Sequence, residues 1–130
     1  MEAKIAYVDK IDFEHHIENA LGGTLVFATE QDLRENKPCT LECGILEVEI
    51  TTKRAKNMEA KITKIAYMDK TDFEHVENAL GGTLVFATEQ DLKENKAFWN
   101  EHTGVLEVEI TIKRVIQETN FHLENPNGTT

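Results

Sequence analysis

The chain has 130 residues, 40% apolar and 29% charged, with 24 acidic against 14 basic side chains and a formal charge of −10. That length holds one domain or two very small ones, and the composition is globular rather than disordered or collagen-like. The acidity leaves no basic stripe to displace counterions from nucleic acid and no polybasic patch to adsorb to anionic lipid, so direct contact with nucleic acid or membrane is not expected.

Residues 4–8 (KIAYV) are rich in Ile, Tyr and Val and predict a short strand. Asp12 then stands where an N-cap belongs, with Glu14 in the first turn near the positive helix end. Phe13, Ile17, Ala20 and Leu21 recur at i, i+4, i+7 and i+8. This spacing predicts one apolar helix face, which Gly22 and Gly23 terminate. Residues 24–28 (TLVFA) predict a second strand, central or buried on both faces. Thr29, Glu30, Gln31 and Asp32 approximate a capping box, so residues 30–36 are expected to form one or two helical turns, with a wide polar loop as the alternative. In residues 44–53, Leu46, Val48 and Ile50 alternate with Glu47, Glu49 and Thr51. That pattern predicts an antiparallel strand with one wet face.

The same text then returns. Residues 64–114 repeat residues 4–54, and of 50 aligned pairs 39 are identical. MEAKI at 1–5 recurs at 58–62, so a short gene fused to itself is expected. The period of roughly 60 residues is too long for ankyrin or tetratricopeptide arrays. A free unit of this size buries only roughly 60% of its unfolded surface and is marginal alone. The linker at 55–63 has no Gly, Pro or Ser, which argues against two beads on a string. The expected fold is therefore α+β: a tandem duplicated β-α-β-(α)-β unit forming one pseudo-twofold body, with a mainly antiparallel six-stranded sheet or sheets and helices on one face. Copy one spans 1–57, copy two 58–118, and 119–130, ending in NPNGTT, is a frayed tail. Copy two lacks one residue, because Glu14-His15-His16-Ile17 becomes Glu74-His75-Val76. A helix, or a loop at 12–16, absorbs such a slip, whereas a strand does not.

Asp12-Phe13-Glu14-His15-His16 and Asp72-Phe73-Glu74-His75 place carboxylates beside imidazoles, a combination suited to general acid/base work or metal ligation. On a helix Glu14 and His15 point about 100° apart and do not converge, while Asp12 and His15 share a face. The plainer reading is a cap and a solvated first turn. Cys39 and Cys43 have zinc-compatible spacing, but Phe98 and His102 align with them in copy two, so no metal or other cofactor is expected. The chain contains no serine and no Gly-rich phosphate loop, and the thiols occur once, so an enzyme is the weaker reading. Two cysteines fit a reducing compartment, and no long apolar stretch follows Met1, so a cytoplasmic location is expected.

The leading functional expectation is a non-catalytic acidic interaction module. It binds a protein partner, even one whose own ligand is nucleic acid, through Glu47, Glu49, Glu107 and Glu109 or through the divergent loop carrying Phe98 and Trp99. An inhibitor carried by a phage or mobile element is one form such a module takes. Glu30, Asp32 and Glu35 with their copies are expected to extend the acidic patches. The alternative is a small-molecule-binding protein with its pocket at the pseudo-twofold seam, lined by Tyr7, Tyr67, His15 and His75. The third reading is an enzyme using the Asp12/His15 and Asp72/His75 pairs. Further association into a homo-oligomer is left open by the duplicated strand edges.

Overall fold

The computed structural model describes residues 3–37, 44–52, 63–95 and 104–117. The elements are β1 (Ala3–Asp9), α1 (Lys10–His15), β2 (Thr24–Val26), α2 (Glu30–Asn36), β3 (Ile45–Thr51), β4 (Thr63–Asp69), α3 (Lys70–His75), β5 (Thr83–Val85), α4 (Glu89–Asn95) and β6 (Val105–Gln117). The fold is α+β. A four-stranded antiparallel sheet of order β1-β3-β6-β4 stands with a two-stranded antiparallel sheet, β2-β5, and four helices among the described residues. The strands thus divide between two sheets instead of forming one. No helix among the described residues is long and apolar enough to cross a membrane.

The alternation in β3 does what the sequence predicts. Leu46, Val48 and Ile50 are buried, while Glu47, Glu49 and Thr51 stay half-exposed on the opposite face. Ala6 and Val8 of β1, Ala66 and Met68 of β4, and Val108 and Ile110 of β6 continue the buried side across the sheet. Phe13, Ile17, Phe73 and Val76 pack on that side, and Val26 and Val85 of the small sheet complete the cluster. The helices do not share one core. Leu33 of α2 instead joins a second cluster with Phe27 and Ile45, against Tyr7, Leu25 and Ile116.

Helix α1 departs from its expected form. Its N-cap is Asp9, not Asp12: Asp9 is extended, and its carboxylate accepts hydrogen bonds from the N–H groups of Ile11 and Asp12. The helix ends at His15, and Ile17 reaches the core from the turn beyond it. Leu21 therefore leaves the predicted apolar stripe and is 89% exposed, as is its counterpart Leu80 at 87%. The residue that copy two lacks falls where the helix ends, His16 being the C-cap of α1 and Val76 that of α3. Ile17 and Val76 both stay buried, so the turn absorbs the difference. Helix α2 forms as predicted, with the Thr29 hydroxyl accepting from Asp32 N–H at 3.0 Å. Strand β2 is shorter than predicted and pairs only with β5.

Several contacts between residues 3–37 and 44–52 and residues 63–95 and 104–117 come in matched pairs. Ile50 stands opposite Ile110, and Leu25 opposite Leu84. Ile5 N–H donates to Glu77 at 2.5 Å, and Ile65 N–H to Glu18 at 2.9 Å. Gly22 N–H donates to Asp91 at 2.9 Å, and Gly81 N–H to Asp32 at 2.8 Å. Lys4 lies 5.6 Å over the Phe73 ring, and Lys64 5.7 Å over Phe13.

The Gly81-Gly82 turn sets a quantitative expectation. Both residues have positive φ, but a Cβ at Gly81 meets nothing within 4 Å, whereas one at Gly82 would stand 2.9 Å from Phe27 Cε2 and 3.0 Å from Leu25 Cδ2. Gly81→Ala should lower stability by about 1–2 kcal/mol through its backbone conformation alone. Gly82→Ala should lower it further, by on the order of 1–3 kcal/mol, because buried side chains must move. Urea midpoints of the two variants measure the difference, and coincident midpoints contradict the packing described.

Candidate functional site

Two regions bring chemistry-bearing side chains together. The first is the face of the four-stranded sheet away from the main core. Strand register places Glu47, Glu49, Glu107 and Glu109 all on this face. Tyr7 stands opposite Glu47 and Tyr67 opposite Glu107, while Ile5 flanks Glu49 and Ile65 flanks Glu109. Glu107 is exposed, and Glu49, Glu109, both tyrosines and both isoleucines are half-exposed.

Two partners hold Glu47. Its side chain is only 14% exposed, Arg114 Nε donates to it at 2.7 Å, and the Tyr7 hydroxyl donates at 3.2 Å. Register irregularities in the β3–β6 pair bring Arg114 opposite Glu47. The Arg114 hydrogen bond holds the Glu47 carboxyl below its ordinary range, against the opposing effect of burial. Burial, then the bond to Glu47, pushes the Tyr7 hydroxyl up. Glu47 also raises Arg114. Of the four predicted glutamates, Glu107 is thus exposed and Glu49 and Glu109 half-exposed, and Glu47 sits in a triad with Tyr7 and Arg114. The expected extension of the patch through Asp32 does not form. Asp32 and Asp91 are buried, and each accepts a glycine N–H from the other half and an Asn Nδ2 from its own helix.

The second region is a cleft of about 310 Å³ where α1, the end of α2 and the small sheet meet. Asp12, His16, Lys37, Leu25 and Leu84 are among its lining residues. The helical turn puts Asp12 and His16 at i and i+4 on one face, and His16 Nδ1 lies 2.7 Å from Asp12 Oδ1. Lys37 Nζ lies 2.9 Å from Asp12 Oδ2. His16 belongs to the Asp12–His16 motif singled out in the sequence, where Asp12 is paired with His15 instead, and Lys37 does not stand out in the sequence as a site residue. The available signals are the i, i+4 spacing and the fact that His16 is the residue copy two lacks.

The predicted lining residues lie elsewhere. His15 is exposed, 3.9 Å from Glu14, and His75 is exposed at the end of α3. Tyr7 and Tyr67 sit on the outer strands, bridged to Phe27 and Phe86. The Asp12 carboxylate that sequence spacing pairs with His15 is paired with His16. Phe98, Trp99, Cys39 and Cys43 lie outside the described residues. Among the described residues no group of three or more His, Cys, Asp or Glu side chains could hold a metal ion. Compared with family models, curated proteins and solved structures, the chain matches none.

The Tyr7–Glu47–Arg114 triad makes stability pH-dependent at both ends. Glu47 is held below its ordinary value of 4.5, so its contribution is present above that value and is lost as pH falls through the lower, folded-state value. Tyr7 is raised above 10.0, so its contribution is present below that value and is lost as pH rises through the folded-state value. Glu47→Gln should therefore lower the melting temperature at neutral pH and flatten its decline on acidification. Melting curves from pH 7 to pH 3 measure this, and an unchanged acid slope contradicts the assignment.

Proposed function

We propose that the chain is a non-catalytic acidic interaction module that docks a basic protein through the wet face of its four-stranded sheet. The observation that carries this reading is the register, which gathers Glu49, Glu107 and Glu109 on one face with half-exposed Tyr7, Tyr67, Ile5 and Ile65. Carboxylates on such a face steer a basic partner and set its orientation, while Ile5 and Ile65 supply apolar area that binding can bury.

The same reading takes the frame as two copies of one β-α-β-α-β unit about a pseudo-twofold axis, a tethered form of an ancestral dimer. Its support is the self-pairing of Ile50 with Ile110 and of Leu25 with Leu84, together with the reciprocal bonds of Glu18 and Glu77 and of Asp32 and Asp91. Reciprocity of this kind is the mark of an isologous interface. The docking face then carries each Glu–Tyr pair twice.

Neutralising the face tests the docking reading. Glu49→Gln, Glu107→Gln and Glu109→Gln together should weaken capture of a partner from native lysate by tenfold or more, about 1.4 kcal/mol, and wild-type capture should weaken as salt rises. A control carrying Glu14→Gln, Glu74→Gln and Glu94→Gln changes net charge equally and should bind as wild type. A partner held undiminished by the first variant sinks the proposal.

The duplication is tested separately. Residues 1–57 alone expose the buried side of β1 and β3, and about 60 residues without staples rarely supply more than roughly 3–5 kcal/mol. Light scattering should find this fragment dimeric, with β3 pairing to its own copy. A stable folded monomer of residues 1–57 excludes the tethered-dimer frame.

A further inference from the structure

No residue of the docking face lines the cleft beside α1, and the formal charges of the cleft cancel. Its two charged lining residues, Asp12 and Lys37, meet each other at 2.9 Å. Lys37 has a further partner besides, so its ammonium is committed. The Asp12 carboxylate can only accept, so the proton in its 2.7 Å contact with His16 sits on Nδ1. In the neutral ring Nε2 then carries a lone pair and accepts. Nε2 has no partner among the described residues, and the His16 side chain is 48% exposed. Thr24 adds a second open group. It is only 6% exposed and lines the cleft, yet no group among the described residues bonds its hydroxyl. A buried hydroxyl without a partner is unfavourable and uncommon in a folded chain. Its counterpart Thr83 is buried too, but does not line the cleft. Leu25 and Leu84, paired across the small sheet and half-buried, give the cleft apolar surface.

We propose that this cleft binds a small neutral phenol, whose hydroxyl donates to His16 Nε2 and accepts from Thr24 Oγ1 and whose ring covers Leu25 and Leu84. One hydroxyl serves both contacts, because it carries a donor and two lone pairs. The charge pattern selects a neutral ligand. An anion finds no uncommitted cation among the lining residues, and a cation finds no uncommitted carboxylate. A volume of about 310 Å³ is at the small end of ligand pockets, which restricts the ligand to a compact one. The hydroxyl is then read by an acceptor and a hydroxyl that the fold itself leaves open, and a ligand without it leaves both unmade. The site occurs once per chain. His16 has no counterpart in the second half, where Glu74-His75-Val76 runs directly from helix to turn.

The probe is phenol, titrated at pH 8 into the isotopically labelled full chain. Anisole is the first control, since it keeps the acceptor oxygen and lacks the donor; toluene is the second and lacks both. Phenol should shift the amide signals of residues 16–25 and saturate at one equivalent per chain. Anisole should bind roughly tenfold more weakly, and toluene more weakly again. His16→Ala removes an exposed ring and should bring phenol down to the affinity of anisole. Thr24→Val separates the site from the scaffold. Valine keeps the branched shape and removes a hydroxyl that the fold does not bond, so the urea midpoint of the free chain should hold or rise while phenol binding falls roughly tenfold. No perturbation by phenol overturns the proposal. Equal binding of anisole overturns the role of His16, and two equivalents per chain overturn the single site. A lowered midpoint for Thr24→Val shows the hydroxyl already partnered and overturns its role. Retained phenol affinity in both variants places the ligand elsewhere and likewise overturns the proposal.

Discussion

Strands β1 and β3 taken together make a two-stranded ribbon whose apolar side is Ala6, Val8, Leu46, Val48 and Ile50. Ribbons of this kind are marginal in water, because one apolar side has nothing to cover it and half the strand edges are open. Strands β4 and β6 have the same difficulty. The pairing of β3 with β6 removes it by joining the ribbons into one four-stranded sheet with a continuous buried side. Phe13 and Phe73 then have a surface broad enough to pack against. The small β2–β5 sheet, three residues to a strand, is too short to persist on its own, and it is held because Val26 and Val85 join the same cluster. Removal of the β3–β6 seam would expose the core of both ribbons at once, so every other feature of the fold presupposes it.

Carboxylates secure what the apolar side leaves open. Asp32 and Asp91 are buried, and each accepts a backbone N–H from the glycine turn of the opposite half, so a charge that burial disfavours is stabilised by charge-assisted bonds. Glu77 and Glu18 meet the backbone of Ile5 on β1 and Ile65 on β4. Tyr7 and Tyr67 exchange bonds in both directions with Phe27 and Phe86 on those same strands. An outer strand with free N–H groups is a template for another chain, and here the chain's own groups occupy those positions. Strand addition at these positions is thereby obstructed.

The local sequence carried much of this frame and little of the site. Alternation in β3 was legible because one face is packed and the other wet, the condition under which period-two patterning is clean. Thr29 was legible because capping is a contact within four residues. Helix α1 was misread because Asp9 and Asp12 are both good caps in sequence. The choice is made by β1, which delivers Asp9 in an extended conformation at the strand's end. Leu21 looked like core by spacing, but the helix stops six residues earlier and the spacing no longer describes a single face. The Asp12–Lys37 and Glu47–Arg114 pairs join residues 25 and 67 positions apart, and the second depends on register irregularities that no local pattern encodes.

The one-residue difference between residues 14–17 and 74–76 shows where the chain absorbs an extra residue without disturbing its core. In a strand the extra residue would have turned every following side chain to the other face. Placed at the end of a six-residue helix, it lengthens a turn and leaves Ile17 as buried as Val76. The core therefore exerts no pressure on what the extra residue is. Its side chain is free to be chosen by its neighbours, and the neighbours here are a mostly buried carboxylate one helical turn back and a lysine at the end of α2. The imidazole Nδ1 meets the first at 2.7 Å, and Lys37 meets the same carboxylate at 2.9 Å. The constraint that fixes the β3–β6 seam is thus the same one that leaves this turn open to variation, because nothing in the seam passes through residue 16.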